Sequence, residues 1–141
     1  MGITMSANNS KYSFDMGYSG FFNLRMNLAK AFDKEFGELY SALRYCHTKE
    51  EYEIFDKICN DMLSDDRFTD NDNDILDFLF DSDTGGKINY RTCGKLYNII
   101  KDIDFGNKIF VYGAYSDGKD YEYLKDFLHE CYSHRRNMYW K

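Results

Sequence analysis

The chain has 141 residues, of which 43% are hydrophobic and 18% aromatic, and a formal net charge of −6. This size and apolar content suffice for one buried core, which excludes disorder of the whole chain and predicts a single domain over residues 1–141. No apolar run reaches the roughly 18 residues of a membrane span, and the start lacks the basic and apolar regions of a secretory signal. We therefore expect a soluble cytoplasmic protein with no membrane partner.

The negative charge is concentrated in one segment, residues 61–83, which we call the acidic segment. It holds nine aspartates and one arginine, a charge of −8, whereas the other 17 bases and 15 acids sum to +2. A partner that recognises charge would bind there. The same distribution argues against direct nucleic-acid binding through a broad basic face.

The N-terminal residues predict a hairpin of two short strands, Ile3–Ser6 and Tyr12–Met16. In the second strand, apolar and polar side chains alternate, as expected of a half-buried strand. From Ser19, which we expect to cap it, an amphipathic helix follows. Its apolar face is predicted to hold Phe21, Leu24, Leu28 and Phe32, with Arg25 and Lys30 off that face.

A second helical stretch carries Phe36, Leu39, Tyr40 and Leu43. The third helix has the clearest start, because Thr48 and Glu51 have the spacing of a capping box. Its apolar side chains recur at helical spacing, namely Tyr52, Phe55, Ile58, Cys59 and Met62.

The later elements are predicted in the following order: an apolar helical run Ile75–Phe80, a glycine loop, a helix Tyr90–Ile103, a strand Lys108–Tyr112, a turn at 115–119, a helix Lys119–Ser133 and a terminal strand within Asn137–Lys141. The pattern as a whole predicts a mainly helical α+β fold. We expect five to six helices and a small antiparallel sheet made from the N-terminal hairpin and a late strand.

The segment Asp81–Thr92 has part of the pattern of an EF-hand calcium loop. Asp81, Asp83 and Asn89 would supply ligands, and Gly86 falls where that loop turns sharply. However, Thr92 stands in place of the bidentate glutamate, and Gly85 offers no side-chain oxygen. A helix C-cap and turn built on Gly85 and Gly86, with Asp81 and Asp83 in solvent, is therefore the preferred interpretation. No cofactor is expected, and calcium binding is kept as an alternative.

The acidic segment is the preferred candidate for function. Nine aspartates in 23 residues exceed what solubility requires, and crowding of like charges costs stability unless a partner relieves it. We expect a basic groove of another protein to contact eight of them: Asp65, Asp66, Asp70, Asp72, Asp74, Asp77, Asp81 and Asp83.

Catalytic and zinc chemistry are not favoured. The four cysteines are widely spaced in apolar helical patterns, which is typical of reduced, buried and inert thiols. His134 follows Cys131 by three residues, but a structural zinc site needs four ligands and no second pair exists. The aromatic content exceeds what one core of this size hides, so we expect exposed rings and a homodimer.

The order of several short motifs resembles a family of small uncharacterised proteins encoded by bacteria and their viruses. The motifs are Tyr18-Ser-Gly-Phe-Phe22, then Arg25 and Ala29, and then Ser82-Asp83 with Gly86, Ile88 and Cys93. That family usually has an aspartate where this chain has Gly85. The resemblance implies a viral or mobile-element source, in which small acidic proteins act as stoichiometric inhibitors of host defence.

These observations predict a non-enzymatic interaction protein that inhibits a host protein, in the manner of an anti-CRISPR, inside a bacterial cell. Two alternatives stay open at this point. One is a calcium-responsive module at Asp81–Asn89, and the other is a protein that sequesters a small molecule or nucleotide with its tyrosines.

Overall fold

The computed structural model describes residues 2–112 and 118–141. Its α-helices are α1 (Tyr18–Phe32), α2 (Lys34–Ser41), α3 (Lys49–Leu63), α4 (Asn73–Phe80), α5 (Tyr90–Ile100) and α6 (Asp120–Ser133). Its strands are β1 (Gly2–Ala7), β2 (Ser13–Gly17), β3 (Gly86–Ile88) and β4 (Met138–Trp140). Short 3₁₀ turns follow α2 at Ala42–Tyr45 and precede α4 at Asp70–Asp72. The mainly helical α+β prediction is confirmed.

The four strands form one antiparallel sheet in the order β2-β1-β4-β3. The predicted hairpin is present, with Met5 opposite Phe14 in β1 and β2. The predicted terminal strand is also present, and it lies in the middle of the sheet between β1 and β3. Alternate side chains of these strands are buried, among them Ile3, Met16 and Trp140, so the sheet carries one side of the core.

Helix starts follow the expected capping chemistry at three places. Thr48 and Glu51 form the predicted capping box of α3, with both hydrogen bonds at 3.1 Å. Asp33 caps α2 through the amide of Phe36, and Asn89 caps α5. The prediction that Ser19 caps α1 is wrong, because α1 begins at Tyr18 and has no side-chain cap.

The segment Lys108–Tyr112 is not a strand, contrary to its β-branched and aromatic composition. The carboxylate of Asp120, at the start of α6, accepts hydrogen bonds from the amides of Phe110 and Val111 at 2.9 and 3.0 Å. These donors are therefore used by a side chain instead of a sheet partner. Tyr112 makes a single bridge to Asp15 of β2. The turn predicted at 115–119 falls largely outside the described residues.

The helices pack as two main pairs, α1 against α2 and α5 against α6, and α1 also contacts α5. Helix α3 is an exception, because it buries only Phe55 and Cys59. Tyr52 and Ile58, which the periodicity placed inward, are 45% and 47% exposed. Within the described residues, no helix is both long and apolar enough to cross a membrane.

Candidate functional site

The turn between α4 and β3 is organised by a buried arginine, Arg25 of α1. One guanidinium nitrogen of Arg25 donates to the carbonyl of Asp81 at 2.8 Å and to the carboxylate of Asp83 at 3.1 Å. The other terminal nitrogen donates to the carbonyl of Ser82 at 3.3 Å. Since the side chain is only 3% exposed, this residue is part of the core, and its placement off the apolar face of α1 is corrected.

Three aromatic rings enclose the same guanidinium. Its central carbon lies 4.0 Å from the ring centre of Phe21, 5.3 Å from that of Phe78 and 5.7 Å from that of Trp140. The indole nitrogen of Trp140 also donates to the carbonyl of Ser82 at 2.9 Å. Helix α1, the 81–85 turn and strand β4 are thus joined at one point by cation–π and hydrogen-bond contacts.

Burial has opposite effects on the two buried titratable groups here. It lowers the pKa of Arg25, and this effect is opposed by the nearby Tyr40 and Asp83. It raises the pKa of Tyr40 to about 12, and the Tyr40 hydroxyl donates to the carbonyl of Leu79 at 2.5 Å. At neutral pH the site therefore holds one cation and one neutral phenol.

The candidate calcium ligands have other partners. Asp83 faces Arg25, whereas the Asn89 side chain accepts hydrogen bonds from the amides of Arg91 and Thr92. Residues between them do not form a continuous loop, since Gly86–Ile88 is strand β3. No group of three His, Cys, Asp or Glu side chains placed to hold a metal is found in the described part of the chain. Calcium binding at this segment stays a prediction.

The glycines of this turn have a different role from the one expected. Helix α4 ends at Phe80, before the glycines, so Gly85 and Gly86 do not terminate it. A Cβ atom on Gly86 would overlap the indole ring of Trp140. Gly86 is therefore required by the close approach of β3 to Trp140. The predicted helix cap is wrong, and of the predicted turn only Gly85 remains, since Gly86 begins strand β3.

The eight aspartates predicted to bind a partner divide into two groups. Five make local contacts: Asp65 with Arg67, Asp72 with the amide of Thr69, Asp74 with Lys95 and Thr92, Asp81 with the amide of Ser82, and Asp83 with Arg25. The side chains of Asp66, Asp70 and Asp77 are exposed and make no hydrogen bond or ion pair within the described residues. These three are the most available to a partner.

Asp74 is the most constrained member of the acidic segment. Its carboxylate accepts from the Thr92 hydroxyl at 2.9 Å and from the Lys95 ammonium at 3.0 Å. Burial acts to raise the pKa of Asp74, but these hydrogen bonds outweigh it and hold the pKa below its ordinary value. Asp74 thus fastens α4 to α5 and is less available to a partner than the exposed aspartates.

Arg67, the single base of the acidic segment, is shared by three carboxylates. It lies 2.9 Å from Asp33, 2.8 Å from Glu35 and 3.5 Å from Asp65. The hydrogen bond that Arg67 donates to the Glu35 carboxylate is the main cause of the raised pKa of Arg67. One cation among three anions leaves a local surplus of negative charge, so the acidic surface extends beyond the segment to α2.

A groove of about 600 Å³ lies beside Arg25, which forms part of its lining. Asp81 and Asp83 also line it, as does Arg44, together with aromatic and apolar side chains of α1, α2, α3 and α4. Three rings on it are partly exposed, namely Tyr18 at 42%, Tyr52 at 45% and Phe80 at 44%. This volume is in the range of protein binding sites. The acidic segment therefore ends in an open aromatic groove, which the sequence reasoning missed.

Thiol chemistry does not characterise the site. Cys59, Cys93 and Cys131 are buried, and Cys46 is half-buried. The side-chain contact with Cys131, followed by burial, raises the pKa of the Cys93 thiol. A thiol with a raised pKa is protonated at neutral pH and is a poor nucleophile.

Exposed large apolar side chains also occur away from the groove, for example Ile54 at 61% and Ile109 at 55%. Exposed rings were expected from the composition, and Tyr45 at 70% is the most open of them. The homodimer that was inferred from them stays a prediction.

The chain matches no family model, no curated protein and no solved structure in comparisons with known proteins. The resemblance to small phage and bacterial proteins thus stays a prediction.

Proposed function

We propose that the chain is a non-enzymatic interaction protein that binds a basic groove of a bacterial host protein, as a phage or mobile-element inhibitor of host defence. One feature of the molecule carries this proposal: exposed carboxylates and half-exposed aromatic rings line the same groove. Asp81 and Asp83 lie at that groove with Tyr18, Tyr52 and Phe80.

The charge of the acidic segment supports a cationic partner. Within the described residues, only Asp65, Asp74 and Asp83 of its nine aspartates lie within 4.0 Å of a basic nitrogen. The remaining carboxylates repel one another, and this repulsion is relieved when lysines or arginines of a partner approach. Charge of this kind accelerates association and makes binding sensitive to salt.

The rings supply the second part of the interface. Aromatic side chains are enriched at the centres of protein interfaces, where a few of them account for most of the binding free energy. A lysine or arginine side chain of the partner can lie over Tyr52 or Phe80 while its charge approaches Asp81. The rings of the groove would thus supply most of the binding affinity. The exposed aspartates would increase the association rate and the selectivity for a cationic partner.

The test compares two variants that remove the same charge. The first carries Asp66→Asn, Asp70→Asn and Asp77→Asn, which are exposed positions without internal contacts among the described residues. The control carries Glu50→Gln, Asp102→Asn and Asp126→Asn, which are exposed acids outside the acidic segment. We expect the first variant to lose a partner captured from host lysate by the unmodified chain, and the control to retain it.

The affinity for the captured partner is then titrated against salt. We expect the dissociation constant to rise steeply with salt for the unmodified chain and for the control variant. Equal affinity of both triple variants for the partner, or affinity independent of salt, would contradict the proposal.

The anti-defence role has its own measurement. A bacterial strain with an active defence system is infected while it expresses the chain, and the efficiency of plating is scored. We expect plating to be restored by the chain and by the control variant, and not by the variant lacking Asp66, Asp70 and Asp77. Plating that stays at the level of the empty vector in several defended strains would contradict the anti-defence role while leaving partner binding intact.

A further inference from the structure

A second cleft, of about 550 Å³, lies between α5 and the end of α6. Its lining includes three bases, Arg91, Lys95 and Arg135, and no acidic residue among those described. In a chain of net charge −6, a cavity whose charged lining residues are all basic is unexpected. Two of these bases, Arg91 and Arg135, lie at positions where the local backbone favours other residue types.

Arg135 has a backbone conformation that normally favours glycine. Its φ is +54°, and it follows the end of α6 in a helix-ending motif in which the amide of Arg136 donates to the carbonyl of Cys131 at 2.8 Å. Glycine is the usual residue at the left-handed position of this motif, because any Cβ atom is crowded there. An arginine at this position costs folding free energy, which points to a use for its side chain.

Arg91 is also placed against the local preference. It is the second residue of α5, in the first turn, where the helix dipole favours acidic side chains, and this turn has none. Neither Arg91 nor Arg135 has a carboxylate within 4.0 Å among the described residues. A bound anion would relieve the unfavourable charge of Arg91 and pair with both guanidinium groups.

The cleft also presents aromatic faces. Tyr132 is 52% exposed, and its ring centre lies 6.4 Å from that of Tyr90. Gly94 of α5 permits this arrangement, because a Cβ atom there would overlap the Tyr132 ring. The Arg91 guanidinium lies over the Tyr90 ring, with its central carbon 5.2 Å from the ring centre. An exposed tyrosine face beside guanidinium groups that have no carboxylate partner among the described residues is suited to a ligand that has both a flat ring and a negative charge.

From this geometry we infer that the cleft between α5 and α6 binds a nucleotide. The phosphate lies between Arg91 and Arg135, and the base stacks on Tyr132. Lys95 contributes less, because its ammonium is held by Asp74 at 3.0 Å and by the carbonyl of Asn71 at 2.7 Å. This site goes beyond the proposed protein partner and shares no residue with the aromatic groove, so either can fail without the other.

The test is isothermal titration calorimetry of the full chain with the four ribonucleoside monophosphates, and with inorganic phosphate and adenosine as partial ligands. We expect at least one monophosphate to bind more tightly than either partial ligand. Arg135→Gly should weaken its binding about tenfold, as expected for the loss of a charged hydrogen bond. The control Lys101→Gln removes a charge from the exposed residue that follows α5 and should leave binding unchanged.

The same variants separate binding from folding. Since Arg135→Gly relieves the positive φ, it should unfold at a higher temperature than the unmodified chain while binding more weakly. Tyr132→Leu should weaken binding of the monophosphate and leave binding of inorganic phosphate unchanged. A single-stranded oligonucleotide that binds more tightly than its monomer, and less tightly to Arg135→Gly, would support the site and identify nucleic acid as the source of the nucleotide.

Three results would overturn the inference. They are the absence of binding by all four monophosphates at millimolar concentration, unchanged affinity in Arg135→Gly, and inorganic phosphate binding as tightly as the monophosphates.

Discussion

Two arginines of this molecule are used in opposite ways. Arg25 lies in the core, where it makes three hydrogen bonds to the 81–83 backbone and carboxylate and contacts three aromatic rings. Arg135 lies at the edge of a cleft, has no carboxylate partner among the described residues and has a φ of +54°. Arg25 stabilises the fold, whereas the positive φ of Arg135 costs folding free energy.

The two arginines illustrate two kinds of charged side chain: those whose contacts stabilise the fold and those that are available to bind a ligand or partner. The contacts of Arg25 explain why one carboxylate oxygen of Asp83 is used inside the fold, although its side chain is 67% exposed. Asp66, Asp70 and Asp77, like Arg135, have no such internal explanation within the described residues. Residues whose charge the fold does not use are the better candidates for function.

The largest expected effect is that of Arg25→Met. The carbonyl of Asp81 would lose its donor, the carbonyl of Ser82 would keep only the Trp140 indole, and three aromatic rings would lose their cation, so we expect a loss of about 3 kcal/mol in the free energy of unfolding. Chemical denaturation measures it. The control Asp83→Asn removes the other charge, and because Asp83 is 67% exposed, it should cost less than about 1 kcal/mol. Equal losses in the two variants would mean that the ion pair, and not the buried donor, holds the turn.

The next largest effect is expected at Gly86, in the strand that follows the turn held by Arg25. Gly86→Ala forces a Cβ atom into the ring of Trp140 and should cost about 2 kcal/mol in the free energy of unfolding. In Gly85→Ala the added atom meets its nearest neighbour at 3.5 Å, an ordinary contact, so a change within about 0.5 kcal/mol is expected. Urea titration of both variants checks the difference. A mild effect at Gly86 would show that β3 is able to move away from Trp140.

In the cleft between α5 and α6, we expect a substitution to raise the free energy of unfolding instead of lowering it. Arg135→Gly removes the cost of a left-handed non-glycine residue and should raise the free energy of unfolding by about 1 kcal/mol. Scanning calorimetry should then show a melting temperature higher by about 3 °C. The control Ser133→Gly places a glycine at the last residue of α6, where the backbone is helical, and should lower stability slightly. A lower free energy of unfolding in Arg135→Gly would contradict the inferred cost of an arginine at this position.

The smallest effect concerns Asp74 and Lys95, the ion pair that joins the acidic segment to the second cleft. Because the pKa of Asp74 is held below its ordinary value of 3.8, its contribution to stability is complete above about pH 4 and is lost as the pH falls through the lowered pKa. Asp74→Asn should therefore show a weaker loss of stability below pH 4 than the unmodified chain. Thermal unfolding between pH 2 and pH 7 measures it, and parallel curves would contradict this assignment.

Most of the helices and the hairpin could be predicted from sequence, because periodicity and capping are local. The Thr48–Glu51 capping box and the alternation around Phe14 are examples. The strand Gly86–Ile88 could not, since it exists through pairing with residues 138–140, which are some fifty positions away. The segment at Phe110 also has β-prone residues, but its amides donate to the Asp120 carboxylate ten positions later, a tertiary contact that no local pattern indicates.

The sites were less predictable than the elements. The acidic segment is visible as a count of charges, but the contacts that occupy Asp74 and Asp83 depend on α5 and α1. The burial of Arg25 could have been suspected from its spacing of four residues from Phe21, which places both on one helix face. The groove beside it is formed by four helices that no local pattern brings together.

Hydrogen–deuterium exchange of the chain with and without its captured host partner tests the central claim most directly. We expect slower exchange in the partner complex across residues 61–83 and at the start of α3, where Tyr52 lines the groove. Exchange at the end of α6 should stay unchanged. Protection confined to α5 and α6, with none in the acidic segment, would contradict the proposal that this segment and its aromatic groove bind the partner.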